Sequence, residues 1–303
     1  MPDTTSTGRA RSLSELLALM GRMGGPDEFA ASLAAWRPRA SDVVISPYGK
    51  CGTTWLQQIF HTLRTRGDMA FDDISRVVPW IETSARLGID IEAPQRAEPR
   101  GFKSHLRYDL LPKGSRAIVS LREPKDALVS MYRFMEGWLF EPGTISIAEY
   151  ASFWMPGGMP GGDIWTHLLT WWEQRDNPDV LLLTYEHNLA DPERAIRKVA
   201  AFCGIPLDDA LLALTLDHSS IGFMLKHKDR FDDLLMRQLL ADRVGLPLDS
   251  DAAKVRQGKA GSHREELTAD LAAAVDAQWT ARVMPMTGFA DYAALDAAVR
   301  ARA

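Results

Sequence analysis

The sequence predicts an α/β fold, one domain with a central, mainly parallel sheet flanked by helices. Three observations carry the expectation. Short apolar runs, β-branched or leucine-rich, stand at residues 43–45, 117–121 and 180–186. Each passes within a few residues into a segment whose apolar side chains recur at helical spacing, the alternation that builds parallel sheets. The first junction, residues 42–60, joins a strand, a glycine-rich turn and a helix into a unit around which the other elements can be placed.

Composition sets the bounds. The 303 residues are 46% hydrophobic and 25% charged, ordinary for a globular chain, and no linker, repeat or low-complexity tract marks a second domain. Residues 12–303 therefore read as a single domain, and the Ser/Thr/Arg-rich residues 1–11 as a disordered tail without a signal-peptide core. A formal net charge of −5 gives a nucleic-acid partner no electrostatic support, so any anion site must be local. Cys51 and Cys203 belong to no C-x-x-C or Cys/His cluster, which argues against a disulfide framework or a structural zinc and fits a reducing cytoplasm. No apolar run approaches the roughly 18 residues of a membrane helix, so no stable membrane insertion is expected.

Along the chain, Leu13, Leu16, Leu17 and Met20 predict a short helix ending at Gly24-Gly25-Pro26. Pro47, Gly49 and Gly52 turn the chain after the first strand, and Trp55, Leu56, Ile59, Phe60 and Leu63 give the next helix its apolar face. The glycines let the turn tighten, so that the unpaired N–H groups of the helix's first turn and the positive end of its dipole face the loop. Lys50 adds a charge and Thr53 and Thr54 add hydroxyl donors, and such a concavity suits a phosphate or sulfate. A glycine turn capping a helix would account for a bare Gly-Lys-x-Gly. A Walker A loop, G-x-x-x-x-G-K-[ST], does not match, because Lys50 precedes Gly52 and no glycine lies four residues before Gly49.

Residues 68–99 mix acids, prolines and aromatics such as Phe71 and Trp80, a surface excursion bordering a pocket. In the extended run 100–106, Lys103 and His105 share a face that, at the carboxyl end of a parallel strand, opens on a ligand crevice. His105 taken alone reads as a hydrogen-bonded structural histidine. After the strand at 117–121, Pro124, Leu128, Met131, Tyr132 and Met135 outline a helix, and Arg122 alone would form a surface pair with Glu123 or Asp126. Residues 137–163, with Trp138, Phe140, Phe153, Trp154 and six glycines, are either a lid over an apolar acceptor or aromatics packed on the core. A helix beginning at His167 turns paired tryptophans to the core. Residues 180–186 give the strongest buried-strand signal, followed by a helix to Cys203-Gly204, and 265–283 predict an Ala-rich amphipathic helix.

Three motifs, in order, resemble those of the PAPS-dependent sulfotransferases of the cytosolic type. Lys50-Cys-Gly-Thr-Thr-Trp55 resembles their phosphosulfate-binding loop Lys-Ser-Gly-Thr-Thr-Trp, with Cys51 for serine. Lys103-Ser-His105 resembles Lys-Thr-His, although Arg107 stands where proline is common. The stretch from Arg122 to Phe134 resembles Arg-x-x-x-Asp-x-x-x-Ser-x-Tyr-x-x-Phe. Tyr185-Glu186 resembles the end of a family strand, and His218-Ser-Ser-Ile-Gly-Phe-Met224 an adenine-lining segment, with Ile221 for phenylalanine. Val255-Arg-Gln-Gly-Lys-Ala-Gly261 is similar to a C-terminal Arg-Lys-Gly-x-x-Gly loop, with Gln257 for lysine and Ser262-His263 for Asp-Trp.

The resemblance implies a P-loop-like phosphosulfate loop and transfer of a sulfuryl group from 3′-phosphoadenosine 5′-phosphosulfate (PAPS) to a hydroxyl or amine. The acceptor would be a partly apolar small molecule or lipid, and no metal is implied. His105 would be the general base, a role that suits a pKa near 6.5. Lys50 and Lys103 would stabilise the group in transfer. Cys51, Gly52, Thr53, Thr54 and Trp55 would surround the donor's 5′ side, and Arg122, Ser130, Arg256, Gln257 and Gly258 its 3′-phosphate. Tyr185, Ser219 and Met224 would lie beside the nucleoside. Cys51, beside Lys50 at a helix N-terminus, is expected to have a lowered pKa. Two other classes stay open: a small-molecule kinase, which needs a magnesium-holding Ser/Thr where Cys51 stands, and a nucleotide-binding protein without turnover, which needs no base. The Lys-x-x-x-Thr-Val-x-x-x-Glu dimer segment of many animal members is not found, so the oligomeric state is open.

Overall fold

Val43, Val44 and Ile45 have no polar atom beyond the backbone, and a strand buried on both faces is where such a run is stable. In the computed structural model, which describes residues 8–158, 161–248, 254–255 and 258–302, they form β1 (Val43–Ile45) inside the sheet. β2 (Gly101–Lys103), β3 (Arg116–Leu121) and β4 (Val180–Thr184) complete an order β2-β1-β3-β4 in which every neighbouring pair is parallel. Ile45 is in register with both Lys103 and Ile118, so β1 and β2 end at one level while β3 runs on to Leu121.

The described helices follow in chain order. α1 (Leu13–Met23) and α2 (Pro26–Ala35) precede the sheet, and α3 (Thr53–Thr65) follows β1. α4 (Pro124–Trp138), α5 (Ile147–Trp154) and α6 (Ile164–Trp172) lie between β3 and β4. After β4 come α7 (Tyr185–Ala190), α8 (Pro192–Cys203), α9 (Asp209–His218), α10 (Ile221–Lys226) and α11 (Leu234–Val244). α12 (His263–Glu266), α13 (Ala269–Gln278), α14 (Met284–Thr287) and α15 (Tyr292–Ala301) complete the set. Strand alternation divides the core into two layers. Val43, Ile45 and Ile118 pack with Leu56, Ile59 and Phe60 of α3 and with Ile196 and Val199 of α8. Val44, Phe102 and Val119 pack with the aromatic-rich side built by α1, α4, α5 and α6.

Several elements differ from the sequence expectation. α2 was not anticipated, because Gly24-Gly25-Pro26 reads as a stop; Pro26 in fact occupies the first helical turn, where its missing N–H costs nothing, and Asp27 and Glu28 favour that end of the helix dipole. Within 137–163, Trp138, Phe140 and Trp154 are buried and Ser146 with Glu149 forms a capping box for α5, so these aromatics belong to the core. β4 stops at Thr184, and Tyr185 and Glu186 open α7; β4 is an edge strand whose first three residues are only partly buried. The helix expected at 265–283 is interrupted at Thr268, whose hydroxyl caps α13, and ends in a π-helical turn at Trp279–Val283. Of the tail expected at 1–11, the described part from Gly8 is held, since Ala10 is buried and its backbone bonds Leu139 and Glu141.

At the amino ends of β1 and β2, Arg100 donates two hydrogen bonds to Asp42, 2.9 and 2.7 Å, with both side chains essentially buried. Asp42→Ala leaves that guanidinium with the half-buried Glu92 at 3.1 Å as its carboxylate partner and the Arg37 carbonyl at 3.2 Å, and should cost about 3 kcal/mol of unfolding free energy in urea. A loss under about 1 kcal/mol would mean that the pair is not what closes this end of the sheet.

Candidate active site

The turn after β1 is shaped by two residues in the left-handed region, Lys50 at φ 67° and Gly52 at φ 92°. For a lysine this conformation is uncommon, and the turn is closed by the Cys51 N–H, which donates to the Tyr48 carbonyl at 3.0 Å. Gly52 is also sterically required, because a Cβ there would lie 2.9 Å from the Tyr185 ring. α3 starts at Thr53 with no side chain capping it, so its first-turn N–H groups remain available. The Thr53 hydroxyl is buried without a hydrogen-bond partner.

Cations crowd this turn. Arg122, at the end of β3, donates to the Lys50 carbonyl at 2.7 Å and lies 4.3 Å over the Tyr185 ring, while its Nε is buried and unpaired. Lys50 Nζ rests 4.5 Å from the Phe134 ring and 3.4 Å from the Lys254 carbonyl. Burial first, then Lys254 and Arg122, lowers the Lys50 pKa to about 7. Lys103, at the end of β2, lies 3.7 Å over the Trp80 ring and 3.9 Å from Asp233, and burial lowers it too to about 7. Cys51 is also buried, which pushes its thiol up to about 12 despite Arg122 and Lys50. The expected activated thiolate is thereby corrected: desolvation outweighs the helix end and the neighbouring charges.

His105 lies two residues beyond β2. Its Nδ1 is 2.8 Å from the Pro47 carbonyl, an acceptor only, so Nδ1 carries the proton and Nε2 the lone pair. Its backbone N–H donates to buried Glu82 at 2.6 Å, and Trp80 stands edge-on, ring centroids 5.2 Å apart. Burial, then Lys103, depresses the His105 pKa well below its ordinary value, which keeps the ring neutral.

The other expected residues are distributed unevenly. Trp55 Nε1 donates to the Ser219 carbonyl at 2.9 Å, joining α3 to the end of α9. Gly258 approaches Ile221, whose Cδ1 would lie 3.1 Å from an added Cβ. Thr54 is half-buried in the first turn of α3, and Ser130 is half-buried one turn beyond Asp126 on α4. Met224 is packed into the α3 and α8 core layer. Arg256 and Gln257 lie outside the described residues. The end of their loop is nevertheless anchored: Asp126 accepts from the backbone of Gly261 (2.6 Å) and His263 (3.0 Å) and from His263 Nδ1 (2.8 Å).

Sequence reasoning missed Glu82, Asp232, Asp233 and Lys254, and recorded Trp80 only as a scattered aromatic. No spacing rule marks them, since each comes from a segment without regular periodicity. Together the elements gather Lys50, Lys103, Lys254 and Arg122 at the strand ends, with a neutral histidine beside them.

Comparison with known proteins gives these observations a context. The family model described as the sulfotransferase domain matches residues 40–287. Human sulfotransferase 2A1 is 31% identical over 239 residues, covering 76% of this chain and 80% of that protein. Luciferin sulfotransferase of Photinus pyralis is 26% identical over 302 residues, 86% of this chain and 76% of that protein. Among solved structures, mouse sulfotransferase SULT7A1 complexed with PAP superposes with a TM-score of 0.65 at 21% identity, over 92% of this chain and 94% of that one. Retinol dehydratase in complex with retinol and PAP gives 0.69 at 17%, over 85% and 86%. The structural likenesses show a shared fold.

The depressed lysines make anion binding pH-dependent. An anion favours their charged forms and raises their pKa values, so binding takes up protons above about pH 7. Sulfate, which does not titrate here, should bind more weakly from pH 7 to 9, by up to about tenfold per unit for each lysine. Calorimetry in buffers of different ionisation heat measures the uptake; an affinity flat across that range would contradict it.

Proposed function

The chain belongs to the sulfotransferase domain family and is a sulfotransferase, and on that premise we propose that it moves a sulfuryl group from PAPS to a hydroxyl or amine of a partly apolar small molecule or lipid. The observation that carries the reading is the crowd of half-buried Lys50 with buried Lys103 and Arg122 at the uncapped start of α3, with the Thr53 hydroxyl and Arg122 Nε unpaired. Donors left without partners in a desolvated site favour an anionic ligand that supplies the acceptors. PAPS would supply the sulfuryl group and a leaving phosphate. Lys50 and the α3 N–H groups would face the 5′ side, while Arg122, Ser130 and the loop of Arg256, Gln257 and Gly258 would face the 3′-phosphate. Trp55, Tyr185, Ser219 and Met224 would flank the nucleoside, and Cys51 and Thr54 would fill the remainder of the loop.

His105 suits the base. With Nδ1–H held by Pro47, the Nε2 lone pair is the one left for an acceptor's proton. An anion beside Lys103 would offset the positive charge that depresses the imidazole, and so raise its basicity when the donor is bound. Trp80 gives the same region an apolar wall, which supports a partly apolar acceptor. Retinol and androsterone are the small molecules named in structures of retinol dehydratase, a protein of the same fold. Among the described residues no helix is long and apolar enough to cross a membrane, and two buried free cysteines fit a cytoplasmic setting.

Two measurements test the reading. Charge-assisted hydrogen bonds contribute on the order of 1.5–3 kcal/mol each, so adenosine 3′,5′-bisphosphate (PAP) should bind at least about a hundredfold more tightly than AMP. Arg122→Ala should erase most of that gap. Equal affinities in calorimetry, or a requirement for magnesium, would favour the kinase instead. For the base, His105→Ala should lower kcat at least about a hundredfold with PAP affinity nearly unchanged. Near-normal turnover would remove His105 from the chemistry.

A further inference from the structure

We propose that Lys254 is a further donor-binding residue of this reaction, its backbone held by Asp232 and its ammonium held beside Lys103 by Asp233 so as to meet the sulfonate end of the donor. The inference rests on the reading of the site as a PAPS site and adds to it a residue that none of the three motifs contains.

Three contacts tie Lys254 to the centre. Its backbone N–H donates to Asp232 Oδ1 at 3.1 Å, its carbonyl receives Lys50 Nζ at 3.4 Å, and its ammonium is ion-paired with Asp233 Oδ2. Lys103 Nζ lies 3.9 Å from the other oxygen of the same carboxylate. One aspartate thus carries two lysines, and it is built for that. Asp233 stands at the N-cap of α11, where an aspartate normally accepts from its own helix, but its side chain makes no cap hydrogen bond and its backbone takes φ 49°. The carboxylate is turned to the lysines instead.

A purely structural pair would not explain the surroundings. Lys254 adds a cation where Lys50, Lys103 and Arg122 already repel one another, and both Lys103 and His105 feel it as a charge that opposes their own protonation. Its Nζ is buried and, although it touches Asp233, makes no well-directed hydrogen bond there. Of the carboxylates at this end, Glu82 and Asp232 accept from backbone N–H groups, and Asp233 is the one in contact with the ammoniums of Lys103 and Lys254. A sulfonate at the transfer point meets these two ammoniums; a 3′-phosphate at Arg122 does not.

The test is calorimetry of PAPS and PAP, without acceptor, on the wild type and on Lys254→Met, which keeps a long apolar stem. The expected result is a loss of at least about tenfold in PAPS affinity, with PAP affinity within about threefold of wild type. Arg122→Ala, in contrast, weakens both nucleotides together. Lys254→Arg, which restores the charge, recovers most of the PAPS affinity, a recovery that a packing role would not give. Lys254→Gln replaces methionine if the melting temperature of the nucleotide-free protein falls. PAPS binding to Lys254→Met or Lys254→Gln within about twofold of wild type overturns this inference alone. Equal losses for PAPS and PAP do so as well, because they remove Lys254 from the sulfonate. A wild type that binds neither nucleotide overturns the underlying reading, and this one with it.

Discussion

Like charges buried together repel through a medium that screens them poorly, and the carboxyl ends of β1, β2 and β3 hold Lys50, Lys103 and Arg122 within one such space. The chain meets this cost in three ways. Arg122 and Lys50 lean on aromatic faces, Tyr185 and Phe134, whose quadrupoles attract cations. Asp233 places one carboxylate between two lysines. Lys50 and Lys103 yield the rest by lowering their own pKa values to about 7. A site under that strain is prepared for an anion, because a bound anion relieves repulsion that the folded protein otherwise carries.

The sheet makes the crowding possible. All neighbouring strands are parallel, so every chain segment that leaves the sheet at its carboxyl end departs on the same side. β1 delivers the turn with Lys50, β2 delivers Lys103 and His105, and β3 delivers Arg122. Glu186, at the start of α7, accepts from the Glu123 backbone at 3.0 Å and from the Tyr292 hydroxyl at 2.6 Å, tying the beginning of α4 to α7 and α15. Asp126 fastens the loop ahead of α12 to the first turn of α4. The acids Glu186 and Asp126 therefore tie elements together, and Lys50, Lys103 and Arg122 gather at the strand ends.

For His105 a structural role and the proposed base role do not exclude each other. It is a hydrogen-bonded structural histidine, with Nδ1 held by Pro47 and its backbone held by Glu82. The same hydrogen bond selects the tautomer that leaves Nε2 as the acceptor, which is what a general base requires. Fixing one ring nitrogen and exposing the other is a single geometric act.

The sequence by itself determined the elements whose signal is local. The Val-Val-Ile strand, the glycine turn and the helix from Thr53 follow from neighbouring residues, as do the strands that carry Lys103 and Arg122. The α/β class follows from their alternation. Tertiary structure alone decided what depends on burial or on distant partners. Cys51 looks activated from its neighbours in sequence, yet its thiol is raised to about 12, because desolvation is a property of the packed site. The aromatics of 137–163 are assigned to the core only once α5 is packed. Glu82, Asp233 and Lys254 reach the centre from segments without periodicity, and their role arises from a charge balance among residues far apart in the chain. Periodicity is a short-range property that a sequence records directly, whereas desolvation and charge balance exist only after distant segments have met.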